Sequence, residues 1–329
     1  MKKTRLIIIA ITTLIISILM TGCSIGDLHF YVSSTSGIGN VFKIGPNACS
    51  KTEFRTYLAN YKNLYGTFQD SSIWSDDNGK IIEDGMKSAI LDHLTRVYSL
   101  DLYAKDNNIK LTKSEEEAVN KAAEEYYNSL SDEDRSYTGA SKTDIEDMYE
   151  HYALAEKVYF QLMNSVDEEV SEDEARMMEA EVLFTTKKAN ADAAATQLKQ
   201  GYSFASVAQQ YSEADAVNVT FGRDKYPKEV DAVVFNLENG QVTDMITTDD
   251  GYYFFRCTNK YNKELSEENK ANVISHRKDE LVQDLIHEQE EKYYSHLSEG
   301  TLENLSLEDT EDVKTDSFFQ VLNKYVSFK

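Results

Sequence analysis

Residues 179–213 read EAEVLFTTKKANADAAATQLKQGYSFASVAQQYSE, and residues 233–257 read VVFNLENGQVTDMITTDDGYYFFRC. AEVLF is a short apolar run of good strand formers. ANADAAATQLKQG is rich in helix formers and stops at Gly201, a residue type that ends helices readily. In SFASVAQQYS, Phe204, Val207, Ala208 and Tyr211 recur at helical spacing. Gly240-Gln241-Val242 and Asp250-Gly251-Tyr252 punctuate a final pair of short strands. Strand, helix, short helix, loop and strand pair together predict a small α+β module.

Outward from this stretch the chain reads as helix. A short strand is expected at 41–45, VFKIG. Ser50-Lys51-Thr52-Glu53 fits a capping box opening a helix to about Tyr65, with Tyr57, Tyr61, Leu64 and Tyr65 on one face. A polar loop over 69–79 holds the single tryptophan, Trp74. Longer helices are expected over about 81–107, 112–130 and 142–164. The first carries the stripe Met86, Ile90, Leu94, Val97 and Tyr98, and the second opens on Thr112 and Glu115, again as a capping box. A last helix over 266–298 offers Val273, Ile274, Leu281, Leu285 and Leu297. Such one-sided helices need partners. The predicted architecture is therefore α+β, a mainly helical body built from both chain ends with the module inserted. The expected divisions are 41–175 for the N-terminal body, 176–262 for the module, 263–298 for the returning helix and 299–329 for a tail. That tail is acidic and then aromatic (Phe318, Phe319, Tyr325, Phe328), and is read as docking on the body, with a client-binding tail as the other reading.

Residues 1–22 read as a secretory signal: Lys2, Lys3 and Arg5 precede an apolar run over 6–20. That run is short of the roughly 20 residues a membrane-spanning helix needs. Met20-Thr21-Gly22-Cys23 resembles a bacterial lipoprotein box. It predicts cleavage before Cys23, a lipid on that cysteine, a flexible tether over 23–40 and a mature chain on the extracytoplasmic face of the cell membrane. The formal net charge of −23 becomes three units more negative once the signal's cations leave. So acidic a chain excludes nucleic acid and direct adsorption to anionic lipid. It reads chiefly as a solvated surface, with weak capture of basic client segments as the other reading.

Cys23, Cys49 and Cys257 form no disulfide framework, and a Cys49–Cys257 bond is left open. Cys257, within YYFFRC, reads better as a small buried residue. No CxxC or histidine cluster predicts a metal, and no cofactor is expected. The six histidines are scattered.

The module resembles the parvulin family of peptidyl-prolyl isomerases. The resemblance is carried by the helix ending at Gly201, residues 204–212, Val234-Phe235-Asn236-Leu237 with Gly240-Gln241-Val242, and the stretch from Thr248 to Tyr253. It implies a proline pocket at Tyr226, Val230 and Phe235. It also implies a substrate-facing acid near Asp215, a hydroxyl at Thr248, and Glu181 and Tyr253 where the family carries two histidines. The family's G-G-D-L-G loop is absent. With the lipobox-like Cys23 and the flanking helices, the layout looks like PrsA-type foldase lipoproteins and their SurA-type relatives.

The resemblance implies catalysis of X–Pro isomerisation in secreted proteins, with unfolded or partly folded clients as partners. A homodimer is left open. The lost imidazoles keep a second class in view: a parvulin-like chaperone that only binds unfolded clients. An envelope scaffold is a third.

Overall fold

The computed structural model describes residues 31–33, 39–65, 77–308 and 310–328. The expected signal, Cys23, most of the tether and Trp74 lie outside them. In chain order the elements are β1 (Tyr31–Ser33), β2 (Asn40–Ile44), β3 (Asn47–Ser50), α1 (Lys51–Tyr65), α2 (Asp77–Asp106), α3 (Lys113–Ser129), α4 (Asp132–Thr138) and α5 (Lys142–Ser165). They continue as β4 (Met178–Thr185), α6 (Lys188–Lys199), α7 (Phe204–Tyr211), β5 (Asn218–Phe221), α8 (Lys228–Val234), β6 (Ile246–Thr247) and β7 (Tyr252–Asn259). The chain ends with α9 (Lys263–Lys292), β8 (Ser295–Ser298), α10 (Glu299–Glu303) and α11 (Phe318–Tyr325). The described residues form two compact units, one from those up to Ser165 together with those from Glu280 on, the other of residues 166–279.

In the first unit, α2 and α3 pack along α5, and α11 packs on α3. The stripe expected on α2 is buried at Ile90, Leu94, Val97 and Tyr98, in one core with Tyr57, Tyr126 and Tyr149. Thr112 and Glu115 form the expected capping box: the Thr112 hydroxyl accepts from the Glu115 amide at 3.3 Å, and the Glu115 carboxylate accepts from the Thr112 amide at 2.6 Å. Only half of the box expected at Ser50 forms. Its hydroxyl accepts from the Glu53 amide at 3.0 Å, but the buried Glu53 carboxylate accepts from the Tyr98 hydroxyl at 2.6 Å instead. Burial pushes the Glu53 carboxyl above its ordinary range, against the opposing pull of that hydrogen bond.

Two features correct the sequence reading. The helix expected over 266–298 stops at Lys292, and Ser295–Ser298 is a strand. It lies parallel to β1 and antiparallel to β2 in the order β1-β8-β2-β3, so both chain ends share one sheet. Leu285 and Leu297 enter the body's core, whereas Val273 and Ile274 belong to the second unit. The segment after residue 299 docks on the body as expected, with Leu305, Leu307, Phe318, Phe319 and Leu322 buried in its core. Cys49 and Cys257 are both free and buried, one in each unit, so the bond left open above does not form.

The second unit is an antiparallel sheet of order β5-β4-β7-β6. Side chains alternate across it. Leu183 and Phe254 pack with Ala191 and Ala194 of α6 and Phe204 and Val207 of α7 on one face. Val182 and Phe255 pack with Val230 and Val234 of α8 on the other. Gly201 follows α6 in the left-handed region, with φ at 87°, where a side chain would be strained. Gly251, ahead of β7, has φ at 149°, and a Cβ there would lie 2.8 Å from the Thr185 carbonyl oxygen.

Candidate functional site

The α8 face of the sheet carries an aromatic basin. Register puts Val182 opposite Phe255 and Phe184 opposite Tyr253. Tyr253 and Phe255, two residues apart on β7, stack with ring centroids 6.1 Å apart. Tyr226 meets Phe255 edge-on at 5.1 Å, Tyr253 at 5.9 Å and Phe221 at 5.0 Å. Phe221 in turn meets Phe235 at 5.8 Å. Edge-to-face pairs at these separations add attraction beyond the area they bury. Val230 and Phe235 are buried, while Tyr226 and Tyr253 are half-buried and form the basin's open side.

The turn that presents Tyr226 is fixed locally. Asp224 takes a left-handed φ of 63°, tolerable for aspartate, and its amide donates to the Asp231 carboxylate at 2.7 Å. Phe235 is gripped by two cations. The Arg176 and Arg223 guanidinium carbons lie 5.0 and 4.5 Å from its ring centroid. Arg176 also donates to the Phe235 carbonyl, and both arginines pair with Asp173. Beyond Phe235 opens a cavity of about 390 Å³ lined by Arg176, Leu237, Lys260 and Tyr261 among others.

Burial pushes the Tyr226 phenol above its usual range, with Tyr253 adding to the effect. The Tyr253 phenol is raised by burial and by the neighbouring Asp250. Both groups are therefore protonated hydrogen-bond donors around neutral pH.

The structure thus brings Tyr226, Val230, Phe235 and Tyr253 together. It does not add the other sequence candidates to them. Glu181 shares its face of β4 with Leu183, away from the basin, and its buried carboxylate pairs with Arg256 across the strand pair. Register explains the difference, because one residue along a strand exchanges faces, and Val182 rather than Glu181 lies on the basin's face of β4. Asp215 is exposed in the loop after α7, where its neighbour Ala214 packs against the basin. Glu213 anchors that loop to the end of β4, accepting from the Thr186 amide at 3.0 Å and hydroxyl at 2.9 Å. These bonds, with Lys187 and Thr185, hold its carboxyl down to about 2. The Thr248 hydroxyl donates to the Gly251 carbonyl at 3.2 Å and so serves the turn before β7.

Sequence reasoning missed Phe221, Phe255, Arg176 and Arg223. The strand reading of YYFFRC could have found Phe255, since residues two apart on a strand share a face and Tyr253 was already a candidate. The arginines gave no signal, because they lie far from Phe235 in sequence or in an irregular turn. Among the described residues no group of three His, Cys, Asp or Glu is arranged to hold a metal ion, and no helix is long and apolar enough to cross a membrane.

Comparison with known proteins finds a family match over the second unit. Residues 164–269 match the PPIC-type PPIASE domain family. Foldase protein PrsA of a Geobacillus species is 29% identical over 139 residues, 39% of this chain and 50% of that protein. The match thus spans half the length of that relative. Foldase protein PrsA 4 of Bacillus cereus is 22% identical over 267 residues, 78% of this chain and 89% of that protein. The crystal structure of the peptidylprolyl isomerase PrsA from Bacillus cereus superposes with a TM-score of 0.41 at 18% identity, covering 88% of this chain and 99% of that one.

Proposed function

We propose, for a chain whose residues 164–269 belong to the PPIC-type peptidyl-prolyl isomerase family, that it is an extracytoplasmic foldase tethered to the membrane through Cys23 and acting on X–Pro segments of unfolded secreted proteins. The observation that carries this reading is the basin of Tyr226, Val230, Phe235 and Tyr253 on one face of the sheet.

Rotation about an X–Pro bond breaks no covalent bond. It must surmount a barrier of about 18–20 kcal/mol set by amide resonance. A proline ring would pack on the exposed faces of Tyr226 and Tyr253, with the buried Phe235 and Val230 supporting them from behind. The two guanidinium groups over Phe235 favour a fixed ring position over an adaptable one. As the amide twists, its nitrogen lone pair localises and becomes a better hydrogen-bond acceptor. The protonated phenols of Tyr226 and Tyr253 are the donors at hand for it. A bond that strengthens only in the twisted state lowers the barrier selectively. About 1.4 kcal/mol gives a factor of ten in rate. Asp215, at the loop edge, is assigned a steering role toward the substrate chain. Thr248 supports the turn before β7.

One observation favours the second reading, a module that binds proline segments without appreciable catalysis. Among the described residues no imidazole joins the basin, and Glu181 is engaged with Arg256 on the other face.

The deciding measurement is cis–trans exchange of X–Pro peptides by the 24–329 chain, with Phe235→Ala, Tyr253→Phe and Asp215→Ala beside it. Catalysis that falls about tenfold in the first and severalfold in the second supports an enzyme. No catalysis, with suppression of client aggregation intact, establishes the binding reading. Cys23→Ser should release the chain from membranes, and an unchanged membrane fraction would count against the tether.

A further inference from the structure

The C-terminal stretch before α11 is held in an unusual way. None of the described residues in 305–317 belongs to a helix or strand. A segment of this kind must place its main-chain polar groups elsewhere. Here they go to side chains of the helical body. The Tyr137 hydroxyl donates to the Ser306 carbonyl at 2.9 Å, and the Glu83 carboxylate accepts from the Leu307 amide at 2.9 Å. Asn63 donates to the Val313 and Thr315 carbonyls at 3.1 and 2.9 Å. Asp134 accepts from the Lys314 and Thr315 amides at 2.8 and 3.0 Å. Lys62 reaches the Thr310 carbonyl. At the end of the run the Phe318 amide donates to Asn60 at 3.0 Å, and its carbonyl accepts from the Tyr149 hydroxyl at 2.6 Å.

The two following aromatic rings seat in phenol-lined pockets. Phe318 lies 4.5 Å from Tyr149, 5.1 Å from Tyr57 and 5.2 Å from Tyr126 by ring centroids. Phe319 lies 5.7 Å from Tyr152 and 6.0 Å from Tyr61.

Main-chain contacts made by side chains are blind to sequence, and aromatic pockets accept any large apolar anchor. Tyrosine is suited to the second task, with a broad apolar face and a polar tip. These are the requirements of a site for unfolded polypeptide of varied sequence. We infer that the groove of the helical body seating residues 305–319 is a binding site for extended, aromatic-bearing polypeptide segments, and that the chain's own C-terminus occupies it in cis. The inference rests on the reading of the chain as a client-binding foldase. An occupant tethered by a short connection is present at an effective concentration on the order of millimolar. A client must displace it, so the apparent client affinity falls with the open fraction.

The test uses the 24–329 chain with a specific protease site placed after Asn304, which is exposed. After cleavage, a fluorescent 305–329 peptide should exchange into the folded protein. Binding of a permanently unfolded probe, reduced and carboxymethylated α-lactalbumin, should tighten about tenfold or more, and excess peptide should compete it away. Asn63→Ala, which frees two carbonyls of the segment without touching the aromatic pockets, should tighten probe binding severalfold in the uncut chain. Loss of cooperative unfolding on cleavage would overturn the proposal, because the segment would then be indispensable core. Probe affinity equal before and after cleavage would also overturn it while leaving the client-binding reading intact. Peptide exchange with no probe binding by either form would overturn both.

Discussion

Glu181 and Arg256 face each other across β4 and β7 as an ion pair on the sheet face opposite the basin. The Glu181 side chain is 9% exposed and that of Arg256 40%. Truncation is therefore asymmetric. Arg256→Ala leaves a buried carboxylate without its partner and should destabilise the second unit by about 1–3 kcal/mol. Glu181→Ala leaves a cation that water can reach and should cost about 1 kcal/mol or less. Neither change should alter isomerisation of a proline peptide by more than about twofold once folding is matched. Urea unfolding and peptide exchange rates read the two effects separately. A rate that drops tenfold in Glu181→Ala would return that residue to the site.

Tyr226 is half-buried and touches Phe221, Tyr253 and Phe255 at its edges. Tyr226→Phe keeps the ring and removes the phenol donor. Tyr226→Ala removes the wall of the basin as well. Peptide affinity should survive the first change and weaken tenfold or more in the second, in keeping with the roughly 1.5–3 kcal/mol of a buried aromatic side chain. If catalysis falls with affinity unchanged in Tyr226→Phe, the hydroxyl acts on the twisted state. Titration of a proline peptide beside its exchange rate separates these outcomes.

Gly251 has φ at 149°, and an added Cβ would come within 2.8 Å of the Thr185 carbonyl and 2.9 Å of the Phe184 ring. Gly251→Ala should destabilise the second unit by about 2 kcal/mol or more, since strain and a backbone clash add. Because the Phe184 ring packs against Tyr253 with centroids 4.6 Å apart, the shift should reach the basin and weaken peptide binding as well. Unfolding of the second unit at unchanged denaturant midpoint would contradict this account.

Some of this molecule could be read from the chain and some could not, for physical reasons. The α+β module was legible because its elements carry local signals: the Asp250-Gly251 turn ahead of the aromatic run of β7, helical spacing in α7 and the helix stop at Gly201. The basin was partly legible for the same reason. The role given to Glu181 was lost to a one-residue register change, which pattern alone does not fix. The β1-β8-β2-β3 sheet was illegible, since SHLS at 295–298 has no strand pattern of its own and becomes a strand by pairing with residues 42–44. The C-terminal segment has little regular structure before α11, and its place is set by side chains such as Asn63 and Asp134 far away in sequence.

Two titratable groups of the helical body, the buried His93 and the half-buried Glu156, set opposing pH dependences. Burial raises the Glu156 carboxyl from 4.5 to about 7, and its Oε2 has no hydrogen-bond partner among the described residues. Between those values the folded chain holds a proton that the unfolded chain has released, so this contribution to stability falls as pH rises from about 4.5 to 7. Burial among aromatic rings, with Arg96 adding to it, lowers His93 from 6.5 to about 4. There the unfolded chain holds the extra proton, so this contribution rises from about pH 4 to 6.5. Each slope approaches about 1.4 kcal/mol per pH unit, and they oppose one another between pH 4.5 and 6.5. Glu53 and Asp92, also raised by burial, share the sign of Glu156, so the difference between each variant and the parent isolates one group. Glu156→Gln should gain about 2–3 kcal/mol on the parent between pH 4.5 and 7. His93→Phe should show its greatest advantage near pH 4 and lose it as pH rises to 6.5. Urea titrations at pH 4.5, 5.5, 6.5 and 7 measure both differences. A Glu156→Gln difference that stays constant across that range would mean the carboxylate is solvated in the folded body.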